Sequence, residues 1–412
     1  MPIGYVISVA VITAGILLAF QPLGRSGRLG RASFFVSAGV NESPFLGFYW
    51  VLAATLLAFA QGDLDTPVAW AALALAGASF IAAPALVRGS LQARPALEHA
   101  LAEGLGAGWR SAIDAKLAAR LGRRLPWVRI LLAPLPFFHR DIERIANLSY
   151  GDAGRRNRLD VYRHRSRPSC APILIHLHGG RFHTGLGGKS FYARPLLMEL
   201  SRQGWICISA NYRLKPKAVF PDYLVDAKKV IAWAREHAYE YDADPTQVFV
   251  AGSSAGAHLA ATAALTANDP LFQAGFEHAD TTVAAAIGLY GYYGPVDRGR
   301  QPLPSSPLDY VRADAPPFLI AHGDQDTYVP VEQAQAFADR LRRISTSPVV
   351  YAELPGAQHS FDLFHSIRFE TLIDGIGAFA AWVRSQASPS VHDPGSSRQR
   401  VSVCPASQGE EH

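Results

Sequence analysis

Cysteine, charged residues and metal-ligand patterns are all scarce in this chain. Its three cysteines are too few for a scaffold built on disulfides, and their spacing does not match a metal site. Only 18% of the residues are charged, compared with about 25% in ordinary soluble domains. Because 49% of the residues are hydrophobic, a wholly disordered chain is also excluded. The low charge predicts that part of the chain is not in contact with water.

Lysine is also rare, and arginine supplies most of the 39 basic residues behind the net charge of +5. A nucleic-acid-binding surface typically shows a dense basic patch with aromatic residues between the charges. The chain contains no such patch. We therefore predict no nucleic-acid partner, and we attribute the basic excess to general composition and to the flanks of membrane segments.

Three long apolar segments lie early in the chain, at about 3–20, 44–60 and 67–87. Each approaches the roughly 20 residues with which a helix crosses a hydrocarbon core of about 30 Å. Lipid provides no partners for free backbone groups, so each segment is predicted to be a helix. A buried core helix is the alternative for any one of them, but three in succession favour a transmembrane region over residues 1–87. The first segment has no basic region before it, which disfavours a signal peptide.

The charged residues between these segments predict the topology. Arginines follow the first and third segments, at Arg25, Arg28, Arg31, Arg88, Arg94 and Arg110. The short second connection instead contains Asp63 and Asp65. Positively charged loops favour the cytoplasmic side. We therefore predict a multi-pass membrane protein with its N-terminus outside and with the chain after residue 88 in the cytoplasm.

Residues 88–145 are predicted to form helices with two possible roles. Apolar residues recur at helical spacing, at Leu97, Leu101, Leu105, Ile113, Leu117 and Leu121. Basic and aromatic residues follow, including Trp127, Phe137 and Phe138. This composition suits a helix at a membrane interface. It suits equally a helical linker or cap packed on the next domain.

From about residue 146 the pattern becomes that of an α/β domain. Short β-rich runs such as 172–178 (PILIHLH) and 205–211 (WICISAN) alternate with helical stretches such as 222–237. Strands that alternate with helices predict a mainly parallel sheet with helices on both faces. We assign this domain to residues 146–385. The Ser-, Pro- and Gly-rich residues 386–412 are predicted to be a disordered tail.

A G-x-S-x-G pattern lies between a strand and a helix of this domain, from Gly252 to Gly256. The flanking context matters because a bare G-x-S-x-G is common by chance, whereas strand, sharp turn and helix together indicate a nucleophile elbow. The neighbours must be small where a serine stands at such a turn. Ser254 is therefore the predicted nucleophile, and Ser253 is one position off the pattern.

A second pattern, His178-Gly179-Gly180, ends the predicted strand at 172–178. Two glycines allow backbone N–H groups to approach a developing oxyanion. An ordinary glycine turn after a strand is the alternative interpretation. Arg181 follows these glycines and is expected to narrow the pocket without removing the donors.

Candidates for the acid and the base follow the serine in the chain. Asp326 lies after a predicted strand and could orient an imidazolium, with Asp324 as the rival carboxylate and a helix cap as the structural alternative. His359 lies in a loop after the next strand, where its ring could reach Ser254. His365 is the nearest rival, but it stands further along, among residues that read as a helix.

These motifs together resemble the α/β-hydrolase superfamily. More closely, they resemble carboxylesterases of the hormone-sensitive-lipase and feruloyl-esterase-like type, in a membrane-anchored bacterial form. The resemblance covers residues 146–385 and rests on HGG at 178–180, NYRL at 211–214, FPD at 220–222 with Asp226, GSSAG at 252–256, HGDQDTYVP at 322–330 and the His359 loop. It implies an α/β-hydrolase fold behind the transmembrane helices. It also implies a nucleophile, acid, base and three oxyanion donors, namely Ser254, Asp326, His359, Gly179, Gly180 and Ala255.

The expected function is ester hydrolysis through an acyl-enzyme, with a small-molecule or lipid ester as substrate and no metal or organic cofactor. A metal site at His322, Asp324, Asp326 and His359 is an alternative that the serine elbow makes unnecessary. An acyltransferase that uses the same acyl-enzyme remains open. A catalytically silent membrane interaction module is a third interpretation, which the complete order of Ser, Asp and His disfavours. The acyl chain, the alcohol and the oligomeric state are not predicted.

Overall fold

The computed structural model describes residues 3–24, 27–135, 139–297 and 302–387. Several residues used in the sequence analysis lie outside these ranges, namely Arg25, Phe137, Phe138 and residues 388–412 of the predicted tail.

Within the described part of the first 91 residues, the chain forms four helices: α1 (Ile3–Phe20), α2 (Gly27–Glu42), α3 (Pro44–Ala60) and α4 (Pro67–Leu91). Helices α1, α3 and α4 cover the three predicted apolar segments. The sequence analysis interpreted α2 as a connection because glycine, serine and charged residues interrupt its apolar run. By length and composition, two helices in the described ranges could cross a membrane, or three if α2 and α3, which meet at a bend of 88°, count as one span.

Burial in these helices is the reverse of that in a soluble domain. Small and polar residues are buried, among them Gly30, Ser33, Ser37, Asn41, Ala69, Ala72, Ala76 and Ser79. Large apolar side chains are exposed, among them Phe35, Trp50, Leu56, Trp70 and Ile81. Water-exposed surfaces rarely present so many large apolar side chains together. Helices packed in lipid bring small residues into contact and direct large apolar residues outward.

The α/β domain follows three connecting helices, α5 (Ala93–Leu105), α6 (Ala115–Ala118) and α7 (Trp127–Leu132). Its elements, in chain order, are β1 (Ile142–Ser149), β2 (Arg158–His164), β3 (Ala171–Leu177), α8 (Arg194–Arg202), β4 (Ile206–Ala210), α9 (Asp222–Glu236), β5 (Ala243–Ser253), α10 (Ala255–Leu265), β6 (Ala285–Leu289), β7 (Phe318–Gly323), α11 (Glu332–Ile344), β8 (Val349–Leu354) and α12 (Ile367–Ala387). Helix α12 ends at Ala387, so its last two residues fall within the range predicted for the tail.

In the described ranges, eight strands form one sheet in the order β1-β2-β4-β3-β5-β6-β7-β8. Strand β2 is antiparallel to its neighbours β1 and β4, and the pairs from β4 through β8 are parallel. Helices α9, α10 and α11 pack on one face, and α5, α8 and α12 pack on the other. This arrangement confirms the predicted mainly parallel sheet with helices on both faces. The sequence analysis missed β1, an edge strand whose partly exposed residues carry little hydrophobic signal.

Residues 88–145 contain one helix that packs on the α/β domain and another that exposes apolar side chains. Helix α5 is packed on the α/β domain, with Leu97 and Leu101 buried. Its Gly104 touches β8 so closely that a Cβ would lie 2.7 Å from the Val349 carbonyl oxygen. Helix α7 instead exposes Trp127 and other apolar side chains, as a helix at a membrane interface does. Ile113, Leu117 and Leu121 recur at helical spacing but do not share one helix, because turns and the four-residue α6 occupy that stretch.

Helix α2 is attached to the α/β domain by polar contacts at both ends. Near its start, Thr327 Oγ1 donates to the Gly30 carbonyl oxygen at 2.8 Å. Near its end, Asn41 Nδ2 donates to the Gly356 carbonyl oxygen at 2.8 Å. The next residue, Glu42, accepts from buried Arg368, with Nη1 3.0 Å from Oε1. These contacts hold α2 across the two loops that carry the predicted acid and base.

Candidate active site

Ser254 occupies a strained turn between β5 and α10, with φ 55° and ψ −114°. The flanking glycines make this turn possible. A Cβ at Gly252 would lie 2.1 Å from the Gly256 carbonyl oxygen, and one at Gly256 would lie 1.9 Å from that of Leu177. Any larger residue would therefore push helix α10 away from β3 and β5. The G-x-S-x-G spacing follows from this close packing.

The side chains of Ser254, His359 and Asp326 form one hydrogen-bonded line. Ser254 Oγ lies 3.0 Å from His359 Nε2. On the other side of the ring, His359 Nδ1 donates to Asp326 Oδ2 at 2.6 Å. Each of the three residues is 5% exposed, so bulk water does not compete for these bonds. The structure thus brings together the nucleophile, base and acid that the sequence proposed.

Asp326 is held as a carboxylate by donors on both of its oxygens. Its Oδ1 accepts from the backbone N–H groups of Tyr328 and Val329, each at 2.8 Å. Burial by itself would raise the pKa of Asp326, but the charge of adjacent His359 and hydrogen bonds from His322 and His359 hold it well below its usual range. His322 Nε2 lies 3.2 Å from Asp326 Oδ2, a contact that the sequence analysis did not foresee.

The two rival residues are engaged elsewhere. Asp324 accepts a hydrogen bond from the Gly356 N–H at 2.7 Å, and burial raises the pKa of its carboxyl. His365 Nδ1 is hydrogen-bonded to Glu370. Among the residues that the structure describes, no three His, Cys, Asp or Glu side chains are grouped as a metal site. Asp324 therefore lies apart from the contacts that join Asp326 to His322 and His359.

The three predicted oxyanion donors surround Ser254. A Cβ at Gly179 would lie 3.3 Å from Ser254 Cβ, so a side chain here would have to displace its neighbours by a few tenths of an ångström. Gly180 has φ 114° and lines the cavity above Ser254. Ala255 is the first residue of α10, and the N–H groups of a helix's first turn have no partners within the helix.

A buried stack supports the glycine loop. The ring of His178 lies 4.4 Å from that of Tyr212, centroid to centroid, and Tyr212 Oη donates to the His178 carbonyl oxygen at 2.6 Å. Burial lowers the pKa of His178 to about 4, so this ring is neutral at pH 7. Nearby, Arg213 is paired with Asp226. Tyr212 of the NYRL motif therefore supports the glycine loop, whereas Arg213 and Asp226 are paired with each other.

A cavity of about 570 Å³ opens beside Ser254 and His359. The α/β domain supplies most of its lining: Gly180, Arg181, Gly185, Leu186, Gly187, Phe191, Tyr192, Tyr328, Ser360 and Leu363. Helix α2 supplies Phe34, Phe35 and Ala38. The sequence analysis missed these three because it took their segment as a connection between spans. The sequence did contain a signal for α2. Gly30, Ser33, Ser37 and Asn41 recur at helical spacing, so these small and polar residues lie on one face of a helix.

A second buried carboxylate lies behind the catalytic histidine candidate. Asp362 Oδ2 accepts from Ser253 Oγ at 2.5 Å, and its Oδ1 accepts from Tyr290 Oη. The ring of Tyr290 packs edge-on against His359 at 4.6 Å. Burial raises the pKa of Asp362 to about 6, although hydrogen bonds from Ser253 and Tyr290 act in the opposite direction. Ser253 is therefore a fully buried structural serine, and neither Asp362 nor Tyr290 could be recognised from sequence spacing.

Known proteins with similar sequences are ester hydrolases. The BD-FAE family matches residues 159–302 and 298–341. Probable carboxylic ester hydrolase LipM of Mycobacterium tuberculosis is 38% identical over 399 residues, which cover 89% of this chain and 90% of LipM. Esterase LipQ of the same organism is 39% identical over 57% of this chain and 61% of LipQ. A solved structure of Thermogutta terrifontis esterase 2 is 25% identical, covers 55% of this chain and 87% of that protein, and has a TM-score of 0.47. Because the similarity to LipM covers 89% of this chain, it includes most of residues 1–145.

The raised pKa of Asp362 predicts a dependence of stability on pH. Between about pH 4 and pH 6 the folded protein keeps a proton on Asp362 that the unfolded chain releases, so this proton stabilises the fold less as the pH rises. From pH 4.5 to pH 7, the free energy of unfolding should fall by about 2 kcal/mol because of this group. The Tm of the native protein, measured in detergent, should therefore fall relative to that of Asp362→Asn over this range. Parallel Tm curves would contradict the prediction, and Asp152→Asn, at an exposed side chain, controls for loss of a surface charge.

Proposed function

The chain belongs to the α/β-hydrolase carboxylesterases and is an ester-hydrolysing enzyme, and from this premise we propose that it cleaves esters with Ser254, His359 and Asp326 while anchored to a membrane. The observation that supports these roles is the continuous line of hydrogen bonds from Asp326 through His359 to Ser254. Acyl transfer also requires a positioned nucleophile with oxyanion donors beside it. The strained turn at Ser254 and the glycine loop after β3 support this part of the proposal.

In the first half of the reaction, Ser254 Oγ attacks the ester carbonyl carbon while His359 Nε2 takes the hydroxyl proton. The carbonyl oxygen becomes an oxyanion that accepts hydrogen bonds from the N–H groups of Gly179, Gly180 and Ala255. Each such donor contributes about 3–4 kcal/mol to the stability of the transition state. The intermediate collapses, His359 gives the proton to the leaving alcohol, and an acyl-Ser254 ester remains.

In the second half, water replaces the alcohol. His359 Nε2 removes a proton from the water as its oxygen attacks the acyl carbon, and the same N–H groups bind the second oxyanion. Collapse returns the proton to Ser254 Oγ and releases the carboxylic acid. Asp326 remains ionised throughout, because its low pKa keeps it available to stabilise the positively charged imidazole ring.

Membrane anchoring is proposed for α1, α3 and α4. One end of each helix lies near the α/β domain or near the contacts that attach α2 to that domain. Phe20, at the end of α1, accepts from Gln325 through its carbonyl oxygen at 3.5 Å. Helix α3 begins directly after the Glu42–Arg368 ion pair, and a Cβ at Gly89 in the last turns of α4 would lie 3.9 Å from Arg368. These shared ends support three crossings, with α2 on the same side as the α/β domain.

The nucleophile is tested by substitution. Ser254→Ala should lower kcat for a p-nitrophenyl ester by about 10³-fold or more, because the members of a triad act as a unit. It should also abolish labelling by a fluorophosphonate probe. Ser253→Ala is the matched control, since this variant keeps the elbow hydroxyl, and it should retain both labelling and most activity. Labelling that persists in Ser254→Ala would contradict the assignment.

The two neighbouring carboxylates can be separated by the same substitution. Asp326→Asn should lower kcat by about 10³-fold or more, because an amide neither fixes the required histidine tautomer nor stabilises the charged ring. Asp324→Asn should have a small effect, since its carboxylate contacts Gly356 and not His359. Steady-state kinetics on both purified variants decide the matter, and a greater loss in Asp324→Asn would show that the acid is misassigned.

The membrane orientation is tested by reporter fusions. The arginine bias favours a cytoplasmic α/β domain, so a reporter active only after export should stay inactive when fused after His412. The same reporter inserted at residues 61–66, between α3 and α4, should be active. The opposite pattern would mean that the α/β domain faces away from the cytoplasm.

A further inference from the structure

The active-site cavity has one wall that does not come from the α/β domain. Phe34, Phe35 and Ala38 of α2 line it together with Ser254 and His359. The ring of Phe34 lies 6.0 Å from that of His359 and 5.7 Å from that of Tyr328, centroid to centroid. The contacts at Gly30, Asn41 and Glu42 hold both ends of this wall in place. Helix α2 therefore limits the space available to a substrate.

The lining of this cavity is suited to an apolar chain. Among the described lining residues, Arg181 is the only Lys or Arg, and no carboxylate is present. The side chains from Phe34, Leu186, Phe191 and Leu363 offer no hydrogen-bond partners, so burying a polar alcohol or sugar against them would be costly. The volume of about 570 Å³ falls within the range of sites that enclose ligands much larger than an acetyl group.

The rim of the cavity is apolar and exposed. Phe35 is 73% exposed, Phe191 is 56% exposed and Leu186 is 50% exposed. Phe35 also belongs to the outward face of α2, which presents Leu29 and Val36 while its inward face buries glycine, serines and asparagine. A helix with this reversed burial is suited to contact with lipid. The mouth of the cavity is thus continuous with the surface that would face the membrane.

We propose that the substrate is a lipid ester drawn from the membrane, whose long acyl chain lies against the wall formed by Phe34 and Ala38 of α2. This inference rests on the proposed function, since it assumes attack by Ser254 on an ester carbonyl. It adds that selectivity for chain length resides in α2, a helix of the membrane-associated region, and that Phe35, Leu186 and Phe191 form the entrance from the lipid phase.

The experiment uses the full-length protein reconstituted into phosphatidylcholine vesicles. The value of kcat/KM is measured for p-nitrophenyl acetate, which is water-soluble, and for p-nitrophenyl myristate, which partitions into the vesicles. Ala38→Phe places a ring in the proposed chain path and should lower the myristate-to-acetate ratio by at least about tenfold. Val36→Phe is the matched control, because it adds the same ring to the outer face of α2, and it should leave the ratio unchanged.

A second variant covers the possibility that Ala38→Phe does not fold. Phe35→Ser removes the most exposed apolar side chain of the rim without adding bulk, and it should raise KM for vesicle-borne myristate more than KM for acetate. The proposal is overturned if native protein does not hydrolyse myristate while it hydrolyses acetate, or if Phe35→Ser and any folded Ala38→Phe leave the ratio unchanged. Failure of the proposed function has a different signature, because native protein would then hydrolyse neither ester.

Discussion

The close approach of helix α10 to strands β3 and β5 is the constraint on which the site depends. It exists only because Gly252 and Gly256 carry no side chains, and it forces Ser254 into its left-handed turn. The other groups are then placed by the parallel sheet. The glycine loop, the serine, the aspartate and the histidine each follow the carboxyl end of a strand, β3, β5, β7 and β8. Carboxyl ends of parallel strands share one edge, so residues far apart in the chain converge there.

Two buried carboxylates beside His359 differ in pKa because their partners differ. Asp326 is surrounded by backbone donors and two histidines, which offset the cost of burial and keep it charged. Asp362 receives hydrogen bonds from neutral hydroxyl groups, so burial prevails and its pKa rises to about 6. One position therefore provides a lasting negative charge for the ring, whereas the other stabilises the loop most when it is protonated.

The N-terminal region contributes residues to the candidate site. Polar contacts attach α2 at Gly30, Asn41 and Glu42, and apolar side chains between these points face the cavity. The buried Glu42–Arg368 pair illustrates the cost of losing one partner, since an uncompensated buried charge typically costs about 3–5 kcal/mol. The geometry of the pocket is thus coupled to the attachment of the N-terminal helices. An isolated α/β domain would lack one wall of its cavity.

The sequence by itself determined the elements that local patterns encode. Apolar length identified α1, α3 and α4, alternation of strands and helices identified the parallel sheet, and the glycine spacing singled out Ser254 over Ser253. Only the tertiary structure decided which distant groups meet. Helix α2 has no strong apolar run, because its buried face is small and polar. Asp324 and Asp326 share the loop after β7, and the partners that distinguish them, Gly356 and His359, come from the loop after β8. The burial of Asp362 likewise depends on partners from distant parts of the chain, Ser253 and Tyr290. Long-range packing sets these contacts, and no local periodicity records them.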